Sequence, residues 1–526
     1  MGLFQNDNTS FNGYTLIAPF NSFETYLIDN CGFVVNKWEN STYQAGAWTY
    51  LLEDGSIMRT CRVQGNFMTG GSGGRLEQYD WDDNLVWSYD IADSTQQQHH
   101  DIEILPNGNI LVLSFDFRTN AEAIAAGRDP NLLQSDLWSE KIIELQPVGT
   151  DSAIIVWEWY LWDHLIQNFD NQQQNYGNIV SYPELIDLNY AGIGGAGQDW
   201  IHANSIDYNE DLDQIVISAR NYHEIWVIDH STTTAEAAGH TGGNSGKGGD
   251  ILYRWGNPKT YSKDEKAEQV FFGQHDAHWI PKGYRDGGKI MVYNNGLDYD
   301  SLESRVQIIA PPVNQNGNYF FQQDSAYLPK VVDWSYTTPN YSDFVSGAQR
   351  LENGNTLICD GPLGIIIELD TLEKVVWHYV SPTGLNGNIN SQGNYPSNNT
   401  LFRAERYSPF YPAFTGRTLT PTAPIELNPL PSNCVIYFPV NTEPKWQTLD
   451  IRLIENPVTD VLRIQNTFNH TIDLKVVDMM GRVVLSDHTT DALLNYHTQN
   501  WGKGVYFIIA IDEANNTLYR QQFIKL

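Results

Sequence analysis

Residues 25–38 read TYLIDNCGFVVNKW, an apolar run, a polar turn and a second apolar run that ends in tryptophan. Two strand-like runs around a short turn are typical of an antiparallel β-hairpin. The same pattern occurs five more times along the chain, and the copies end at Trp87, Trp157, Trp255, Trp334 and Trp377. Six such hairpins indicate a repeat architecture, and we interpret the tryptophans as residues that pack between the repeats.

A second kind of hairpin lies between these copies. It occupies residues 50–60, 103–114, 205–218, 278–293 and 349–360, and several copies turn at Asn-Gly or Asp-Gly. Two hairpins provide four strands, the size of one β-propeller blade. The repeats start with a lone tryptophan hairpin and end with the strand-like residues 398–409, so one blade combines both ends and leaves no open sheet edge. We therefore expect an all-β fold in which residues 10–425 form a six-bladed β-propeller.

Three further regions interrupt or follow the repeats. Insertions at residues 117–140 and 160–200 are expected to lie on one face of the propeller, where they can cover its central channel. Residues 426–446 are rich in proline and predict a linker or strap. Residues 447–526 then alternate as short strands, which predicts a small Ig-like β-sandwich.

The composition excludes two classes of partner. The 526 residues include 63 acidic and 31 basic side chains, a net charge of −32, so no basic face is available for nucleic acid. No apolar run approaches the roughly 18 residues that a membrane-spanning helix needs. The four cysteines, Cys31, Cys61, Cys359 and Cys434, lack zinc-type spacing and allow one or two disulfides. No signal peptide is visible, so the chain is either cytoplasmic or a mature exported form.

Three histidines recur at one position of the second hairpin. His100, His202 and His275 each lie six residues ahead of the same turn position, where the other two hairpins carry Ala47 and Ser346. Innermost strands line the channel of a propeller, so equivalent positions on different blades converge on its axis. We therefore expect the three imidazoles to face one another. Other histidines, His99, His223, His230, His240 and His278, lack this register.

An arginine joins this predicted site. Arg220 lies 18 residues after His202, just beyond the second strand of the same hairpin, where the chain returns to the same end of the channel. Three histidines can hold zinc, but a permanent cation among them would repel a metal dication. The guanidinium offers a fork of donors to a tetrahedral anion, and a neutral histidine can act as nucleophile. The set favours sulfuryl or phosphoryl transfer.

Several segments together resemble the bacterial arylsulfate sulfotransferase family. The likeness covers nearly all of residues 10–420. The segments that carry it read HHDIEILPNGNIL (99–111), WDHLIQNFDN (162–171), IHANSIDYNEDLDQIVISARNYHEIWVID (201–229), GQHDAHWIP (273–281) and FRAERYSPFYPAF (402–414). The resemblance implies a six-bladed propeller that moves a sulfuryl group from a phenolic sulfate donor to a phenolic acceptor. It implies a ping-pong route through a sulfated histidine, without the nucleotide sulfate donor PAPS, and we expect no cofactor and no bound metal.

The resemblance also implies a role for each predicted site residue. His275 would be the nucleophile, while His202 and Arg220 would hold the sulfuryl oxygens. His100 would be a further donor or proton shuttle, although its neighbour His99 is an alternative counterpart. Asp101 and Asp276 each follow one of the histidines, which suggests that they orient ring nitrogens.

The C-terminal segment resembles a second family. ENPVTDVLRI (455–464), LKVVDMMGRVV (474–484), WGKGVYFIIAI (501–511) and QQFIKL (521–526) are similar to the sorting domain read by the type IX secretion system of Bacteroidetes. The steps that carry the likeness are Asn456-Pro457, Met480-Gly481-Arg482 and Lys503-Gly504-Val505-Tyr506. The resemblance implies the type IX secretion machinery as a partner. It also implies a secreted or cell-surface protein whose signal peptide is absent from this chain.

Two other functions stay open at this stage. A metal-dependent hydrolase or lactonase on the same propeller would place a metal at His100, His202 and His275. A non-catalytic secreted propeller would bind glycans or proteins, because a fold can keep its scaffold without activity. The register of the histidines with Arg220 favours the sulfotransferase.

Overall fold

A computed structural model of the chain describes residues 1–65, 67, 69–193, 197–261, 268–297, 302–314, 316–321, 325–394, 398–437, 451–453, 458–466, 471–478, 482–512 and 517–526. The chain divides into two units, Met1–Tyr437 and Phe438–Leu526. Part of the predicted linker, residues 438–446, lies outside the described residues, as do Asn456, Pro457, Met480 and Gly481 of the predicted sorting motif.

The regular secondary structure of the first unit is mainly β-strand. In chain order they are β1 (Gly2–Asn6), β2 (Tyr14–Ile17), β3 (Thr25–Ile28), β4 (Val34–Trp38), β5 (Ala45–Leu51), β6 (Ile57–Arg62), β7 (Gly74–Tyr79), β8 (Leu85–Asp90), β9 (Gln96–Ile104), β10 (Ile110–Arg118), β11 (Leu137–Val148), β12 (Ser152–Tyr160), β13 (Leu165–Ile166), β14 (Ile186–Asp187), β15 (Ala203–Asn209), β16 (Gln214–Ala219), β17 (Glu224–Asp229), β18 (Tyr253–Trp255), β19 (His275–Trp279), β20 (Ile290–Asn294), β21 (Arg305–Ile309), β22 (Trp334–Thr337), β23 (Gly347–Arg350), β24 (Thr356–Asp360), β25 (Ile365–Leu369), β26 (Val375–Val380) and β27 (Glu405–Tyr407).

Each pair of hairpins that the sequence predicts forms one antiparallel sheet. Four sheets take consecutive strands, in the orders β5-β6-β7-β8, β9-β10-β11-β12, β15-β16-β17-β18 and β19-β20-β21-β22. The sheet β27-β2-β3-β4 combines both ends of the repeat region, as the sequence predicts, with Tyr14 opposite Tyr407. The remaining sheet, β23-β24-β25-β26, gains β1 as a fifth strand, a contribution from residues ahead of the predicted start at residue 10.

The six repeat tryptophans join each sheet to the next. Every indole N–H donates to an atom in the outer hairpin of the following sheet, at 2.7–3.1 Å. The bonds run from Trp38 to Asp80 O, Trp87 to Ser152 O, Trp157 to Thr232 Oγ1, Trp255 to Pro329 O, Trp334 to Glu373 Oε1 and Trp377 to Asn30 O. Each bond contributes about 1 kcal/mol net. Because the last bond returns to the first sheet, the series closes on itself.

The first strands of the sheets form a second closed series. Their side chains bond to the backbone or side chains of the next first strand in turn, through the pairs Tyr50–Ile102, Asp101–Ile206, Asp207–Trp279, Asp276–Ala348, Gln349–Arg406 and Tyr407–Leu51. These six strands therefore surround a common centre, and residues on them meet there.

Helices are few and short in the described part of the first unit. The α-helices are α1 (Asn120–Ala125) and α2 (Thr234–Ala237), each begun by a capping box at Thr119 or Thr233. The 3-10 helices are Pro130–Leu132, Leu161–His164, Ile179–Ser181, Arg220–Tyr222, Pro258–Thr260, Gly361–Leu363, Leu385–Gly387 and Pro412–Phe414.

A disulfide ties the two ends of the first unit together. Cys31, between β3 and β4, is bonded to Cys434 across 403 residues of sequence. Cys61 and Cys359 are buried free thiols. Disulfides persist mainly in oxidising compartments, which agrees with an exported protein.

The second unit has two antiparallel sheets. Its strands are β28 (Ile451–Leu453), β29 (Val461–Asn466), β30 (Ile472–Asp478), β31 (Val483–Thr489), β32 (Leu493–His497), β33 (Gly504–Asp512) and β34 (Thr517–Lys525). They are ordered β28-β29-β32 and β31-β30-β33-β34. Side chains of both sheets, among them Leu462 and Ile508, share one core. The sequence analysis missed β32, whose residues LLNYH alternate only weakly.

Candidate active site

The four predicted site residues lie on the first or second strands of three consecutive sheets. His100 lies within β9, His202 directly precedes β15, His275 opens β19, and Arg220 follows β16. The imidazole rings of His100 and His202 are 4.5 Å apart between centroids. Arg220 acts electrostatically on both His100 and His275, so the structure brings all four residues together.

Two of these histidines have an unusual backbone conformation. The φ angles of His100 and His202 are 49° and 54°, in the left-handed region that costs a residue with a side chain about 1–2 kcal/mol. Such strain is concentrated at functional sites. Gly71 packs closely against His100, since a Cβ at Gly71 would lie 2.1 Å from its Nε2. The His100 ring is therefore confined.

The His275 ring is held in one tautomer by neutral groups. Its Nδ1 lies 2.8 Å from Asn295 Oδ1 and 3.1 Å from Gly273 O. The Asn295 Nδ2 donates to two backbone carbonyls, those of Ser342 and Val345, which identifies Oδ1 as the atom that faces His275. Because both neighbours of Nδ1 are acceptors, Nδ1 carries the proton. The lone pair is then on Nε2, which accepts a bond from Val345 N–H at 3.2 Å.

The surroundings of His275 also keep it uncharged. Burial, reinforced by the Arg220 cation, holds the pKa of His275 well below its usual 6.5, although the bond to Asn295 opposes the shift. An uncharged imidazole with a lone pair on Nε2 is the form that can attack an electrophile. His275 therefore has the protonation state of a nucleophile at neutral pH.

His202 is held by a carboxylate. Its Nδ1 lies 2.5 Å from Asp199 Oδ2, and Thr69 donates to the same oxygen. Burial acts to raise the pKa of Asp199, but His202, His99 and Thr69 outweigh it, so that pKa lies below its usual value. Asp199 belongs to the predicted insertion 160–200 and stays ionised beside His202. The ionised carboxylate accepts from His202 Nδ1 and so fixes the orientation of the ring.

His100 is supported through a second histidine. Its Nδ1 lies 2.9 Å from His99 Nδ1, and His99 Nε2 lies 2.8 Å from Glu140 Oε2. Burial lowers the pKa of His100 well below 6.5, and His202, His99, His275 and Arg220 add to the effect. His99 stacks on Phe115 at 3.8 Å and lies behind His100. Glu140, His99 and His100 thus form a hydrogen-bonded series that ends at His202.

Arg220 and His202 line a cavity of about 420 Å³. Trp138 and Asp199 form part of its wall, which places both predicted insertions at the site. The Arg220 Nη1 donates to Asn221 Oδ1 at 3.0 Å, which orients the guanidinium. A cavity lined by an arginine and an imidazole suits an anionic group attached to a small organic molecule.

Asp101 and Asp276 do not orient the histidines, contrary to the expectation from the sequence. Both bind the buried Arg403, whose Nη1 lies 2.7 Å from Asp101 Oδ2 and 3.1 Å from Asp276 Oδ1. Arg403 stacks on Trp48 and is also bonded to Tyr50. Its guanidinium joins the strands of His100 and His275, so it positions the site rather than lining it.

Other residues support the site without a predicted role. His223 Nδ1 accepts a bond from Gly273 N–H at 3.0 Å, and burial together with Arg220 lowers the pKa of His223 to about 4. His230 pairs with Asp213 and Glu144, and His278 is bonded to its own strand. Asn295, Glu140 and Arg403 were not predicted as functional candidates, because they lie 20, 41 and 302 residues in sequence from His275, His99 and Asp101, which they contact. Asp199 lies only three residues from His202, but no pattern in the insertion singled it out.

A closed series of sheets with imidazoles and an arginine around one cavity suits an enzyme that transfers an anionic group. The sequence model of the arylsulfotransferase (ASST) family matches residues 6–402, and the chain belongs to this family. The model of the secretion system C-terminal sorting domain matches residues 455–525, which supports secretion or a cell-surface location. None of the helices in the described part of the chain has the length and hydropathy of a membrane span.

Solved structures resemble the chain only distantly. A periplasmic gluconolactonase of Pseudomonas aeruginosa is 9% identical, with 76% of this chain and 99% of that chain covered and a TM-score of 0.36. A streptogramin B lyase is 10% identical, with 72% and 86% covered and a TM-score of 0.32. The virginiamycin B lyase of Staphylococcus aureus is 8% identical, with 71% and 86% covered and a TM-score of 0.31. No curated protein matches the chain.

Proposed function

We propose that this protein transfers a sulfuryl group from an aryl sulfate donor to a phenolic acceptor, without PAPS, through a sulfated His275. In the first step the Nε2 lone pair of His275 attacks the sulfur of the donor, and the bond between sulfur and the phenolic oxygen breaks. The phenoxide leaves with the bonding electron pair and takes up a proton from a site donor or from water. The enzyme keeps the sulfuryl group on Nε2.

The second step reverses the first with a new phenol. The acceptor hydroxyl loses its proton, its oxygen attacks the sulfur, and the bond between sulfur and Nε2 breaks. His275 recovers its lone pair and the product is a new aryl sulfate. His100 lies next to His202 and is uncharged, so it is suited to take the acceptor proton.

The remaining charged groups hold the transferred oxygens. Arg220 binds the sulfuryl oxygens through its guanidinium, and the His202 ring, which Asp199 orients, lies beside the same group. Donors fixed before the reaction stabilise charge that develops in the transition state, where removal of one costs about 100-fold to 1,000-fold in rate.

One observation carries the proposal above the others. The Asn295 amide is fixed because it donates to two backbone carbonyls, so its oxygen accepts from His275 Nδ1 and the lone pair of His275 is on Nε2. Arg220 acts electrostatically on the same ring. The same Arg220 counts against a metal dication held by His100, His202 and His275. A non-catalytic propeller that only binds a ligand would not require a histidine held in its nucleophilic form.

The rest of the chain fits an exported enzyme. The six sheets of the first unit are best understood as blades of a six-bladed propeller at residues 10–425, since two series of hydrogen bonds close around them. We assign residues 426–446 as a strap and residues 447–526 as an Ig-like sandwich. This sandwich is the signal for type IX secretion in Bacteroidetes, which would carry the protein across the outer membrane.

The decisive experiment is a single turnover without acceptor. The purified chain is mixed with 4-nitrophenyl sulfate, released phenol is followed by absorbance, and the intact protein is weighed by mass spectrometry. We expect one phenol per chain and a mass gain of one sulfuryl group, which peptide mapping places on His275. His275→Ala should give neither, while His378→Ala, a half-buried histidine on the outer strand β26, should behave as the wild type.

Two outcomes would overturn the proposal. A burst with the adduct on another residue would remove His275 from the nucleophile role. Absence of both burst and adduct, in a chain that transfers no sulfuryl group to added phenols, would leave the hydrolase or the binding propeller.

A further inference from the structure

We propose that His164, His240 and Asp250 form a binding site for a divalent transition-metal ion, with zinc as the best fit. His164 ends the 3-10 helix Leu161–His164, His240 lies in the glycine-rich loop after α2, and Asp250 ends that loop ahead of β18. One ligand atom from each lies within 4.8 Å of the others. None of the three belongs to the candidate active site.

The hydrogen bonds of His164 are the first reason for a cation. Its Nε2 lies 2.8 Å from Ala237 O, and its Nδ1 lies 2.8 Å from Asp250 Oδ1. A neutral imidazole has one N–H, so a bond from Nε2 to the carbonyl leaves a lone pair on Nδ1 that faces a carboxylate oxygen. A cation between Nδ1 and the carboxylate would bind the lone pairs of both.

His240 supplies the second reason. Its Nδ1 also lies 2.8 Å from Asp250 Oδ1, so two ring nitrogens point at one oxygen. Zinc holds nitrogen at about 2.0–2.1 Å and carboxylate oxygen at about 2.0–2.2 Å in a tetrahedron, which separates its ligands by about 3.3 Å. Small outward shifts of the three atoms would create that geometry.

The surroundings of His164 match those of a metal ligand. A histidine that binds metal usually donates its other N–H to a carboxylate or a backbone carbonyl, which fixes the ring, and Ala237 O takes that place here. The ring is stacked on Trp159, with centroids 5.6 Å apart. A Cβ at Gly249 would lie 2.7 Å from His164 Nε2, so the loop approaches the ring closely.

The open side of the site faces solvent. His240 is 60% exposed and lines a cavity of about 650 Å³ together with Asp163. Water can therefore complete the coordination. Two imidazoles with one carboxylate select zinc or a similar transition metal over calcium or magnesium, which prefer oxygen ligands. A bound ion would fasten the loop that carries His240 and Asp250 to the segment that carries His164.

Zinc binding by the full chain tests the proposal. The metal-free chain is titrated with Zn²⁺ against a chromophoric chelator, and with Co²⁺ by absorption spectroscopy. We expect one Zn²⁺ per chain and a higher Tm with zinc. His240→Ala should weaken binding by about tenfold or more and abolish the Tm shift, since even an outer-shell partner contributes about that much.

The matched control is His488→Ala. His488 is 68% exposed and pairs with the carboxylate of Asp473, and the described residues place it in no group of three metal-ligating side chains, so this variant should bind zinc as the wild type does. The proposal fails if the wild type takes up no Zn²⁺ at micromolar concentration, which would leave His164 and Asp250 as an ion pair. It also fails if His240→Ala binds zinc unchanged, or if His275→Ala is the variant that loses the metal.

Discussion

His275 and His202 lie at the start of the first strands of two neighbouring sheets, but opposite kinds of group hold them. An amide, Asn295, accepts from His275, whereas a carboxylate, Asp199, faces His202 at 2.5 Å. The amide adds no charge, so burial and Arg220 keep His275 neutral. The Asp199 carboxylate instead accepts from Nδ1 of the His202 ring. Two histidines of one site are thus held by partners of different charge.

The different partners of Nδ1 suit the histidines of this site to different chemical roles. A nucleophile needs a lone pair, while a group that binds the sulfuryl oxygens needs an N–H. The partner of Nδ1 decides which of these each ring offers. Substitutions at the partners, rather than at the histidines, therefore test this division most directly.

Asn295→Asp should have the largest effect, because it gives His275 the type of partner that His202 has. The new carboxylate stabilises the imidazolium and raises the pKa of His275, which removes the lone pair near neutral pH. We expect kcat to fall by about 100-fold or more at pH 7 and to recover as the pH rises. The measurement is the pH dependence of the phenol burst.

A buried aspartate also disturbs folding, so Asn399→Asp serves as the control. Asn399 likewise donates to two backbone carbonyls, those of Leu363 and Ser381. A similar loss of activity in both variants, or an unchanged burst in Asn295→Asp, would refute the assigned tautomer of His275.

Asp199→Asn should have the next largest effect. The amide is an uncharged and weaker acceptor for the His202 ring, so the ring is held less firmly beside the sulfuryl oxygens, and we expect kcat to fall by about 10-fold to 100-fold. Stopped-flow kinetics with 4-nitrophenyl sulfate would measure the loss. Asp213→Asn, which changes the similar pair with His230, should leave kcat unaltered. Equal kcat values for Asp199→Asn and the wild type would show that His202 works without its carboxylate.

Glu140→Gln should have a smaller effect. The glutamine keeps the shape and an acceptor for Ala203 N–H but binds His99 less strongly, so His100 is held less firmly. We expect about a fivefold fall in kcat, the equivalent of about 1 kcal/mol for one hydrogen bond, with KM unchanged. Glu144→Gln is the matched control, since Glu144 faces His230 instead. A fall in KM alone would contradict a role in the chemical step.

The smallest effect is expected for the burst rate of the wild type between pH 8 and pH 6. A histidine with the usual pKa of about 6.5 would be about three-quarters protonated at pH 6, and the burst rate would fall about fourfold. Because the pKa of His275 lies well below that value, the rate should stay flat to pH 6. The unfolded chain takes up protons at His100 and His275 that the folded chain does not, so unfolding becomes easier in acid. Circular dichroism at each pH checks the fold, and a midpoint near 6.5 would count against a neutral nucleophile.

Local sequence patterns predicted most of the fold. The hairpins that end in tryptophan became the outer halves of the six sheets, and residues 398–409 supplied β27. The fifth strand β1 was missed because GLFQN carries no alternation and pairs with β26, which is more than 370 residues away in sequence. A strand of that kind is specified by its partner rather than by its own residues.

The site was predictable only in part, because some of its residues are likewise specified by their partners rather than by the local sequence. The spacing from a turn was enough to find His100, His202 and His275, and they do meet. Their partners come from a neighbouring strand or from an insertion: Asn295 follows β20, which pairs with the His275 strand β19, and Asp199 lies in the insertion 160–200. The expectation for Asp101 and Asp276 was wrong because the competing cation, Arg403, is supplied by the end of the repeat region.

The disulfide between Cys31 and Cys434 determines which proteolytic cuts separate the chain into two molecules. A single cut anywhere between these residues leaves two fragments that stay covalently joined, and the packed sheets hold the break closed. A cut after Cys434 instead breaks the covalent link to the residues downstream, including the second unit. One cleavage there can therefore separate the two units covalently, whereas a cut between Cys31 and Cys434 leaves one covalently joined molecule.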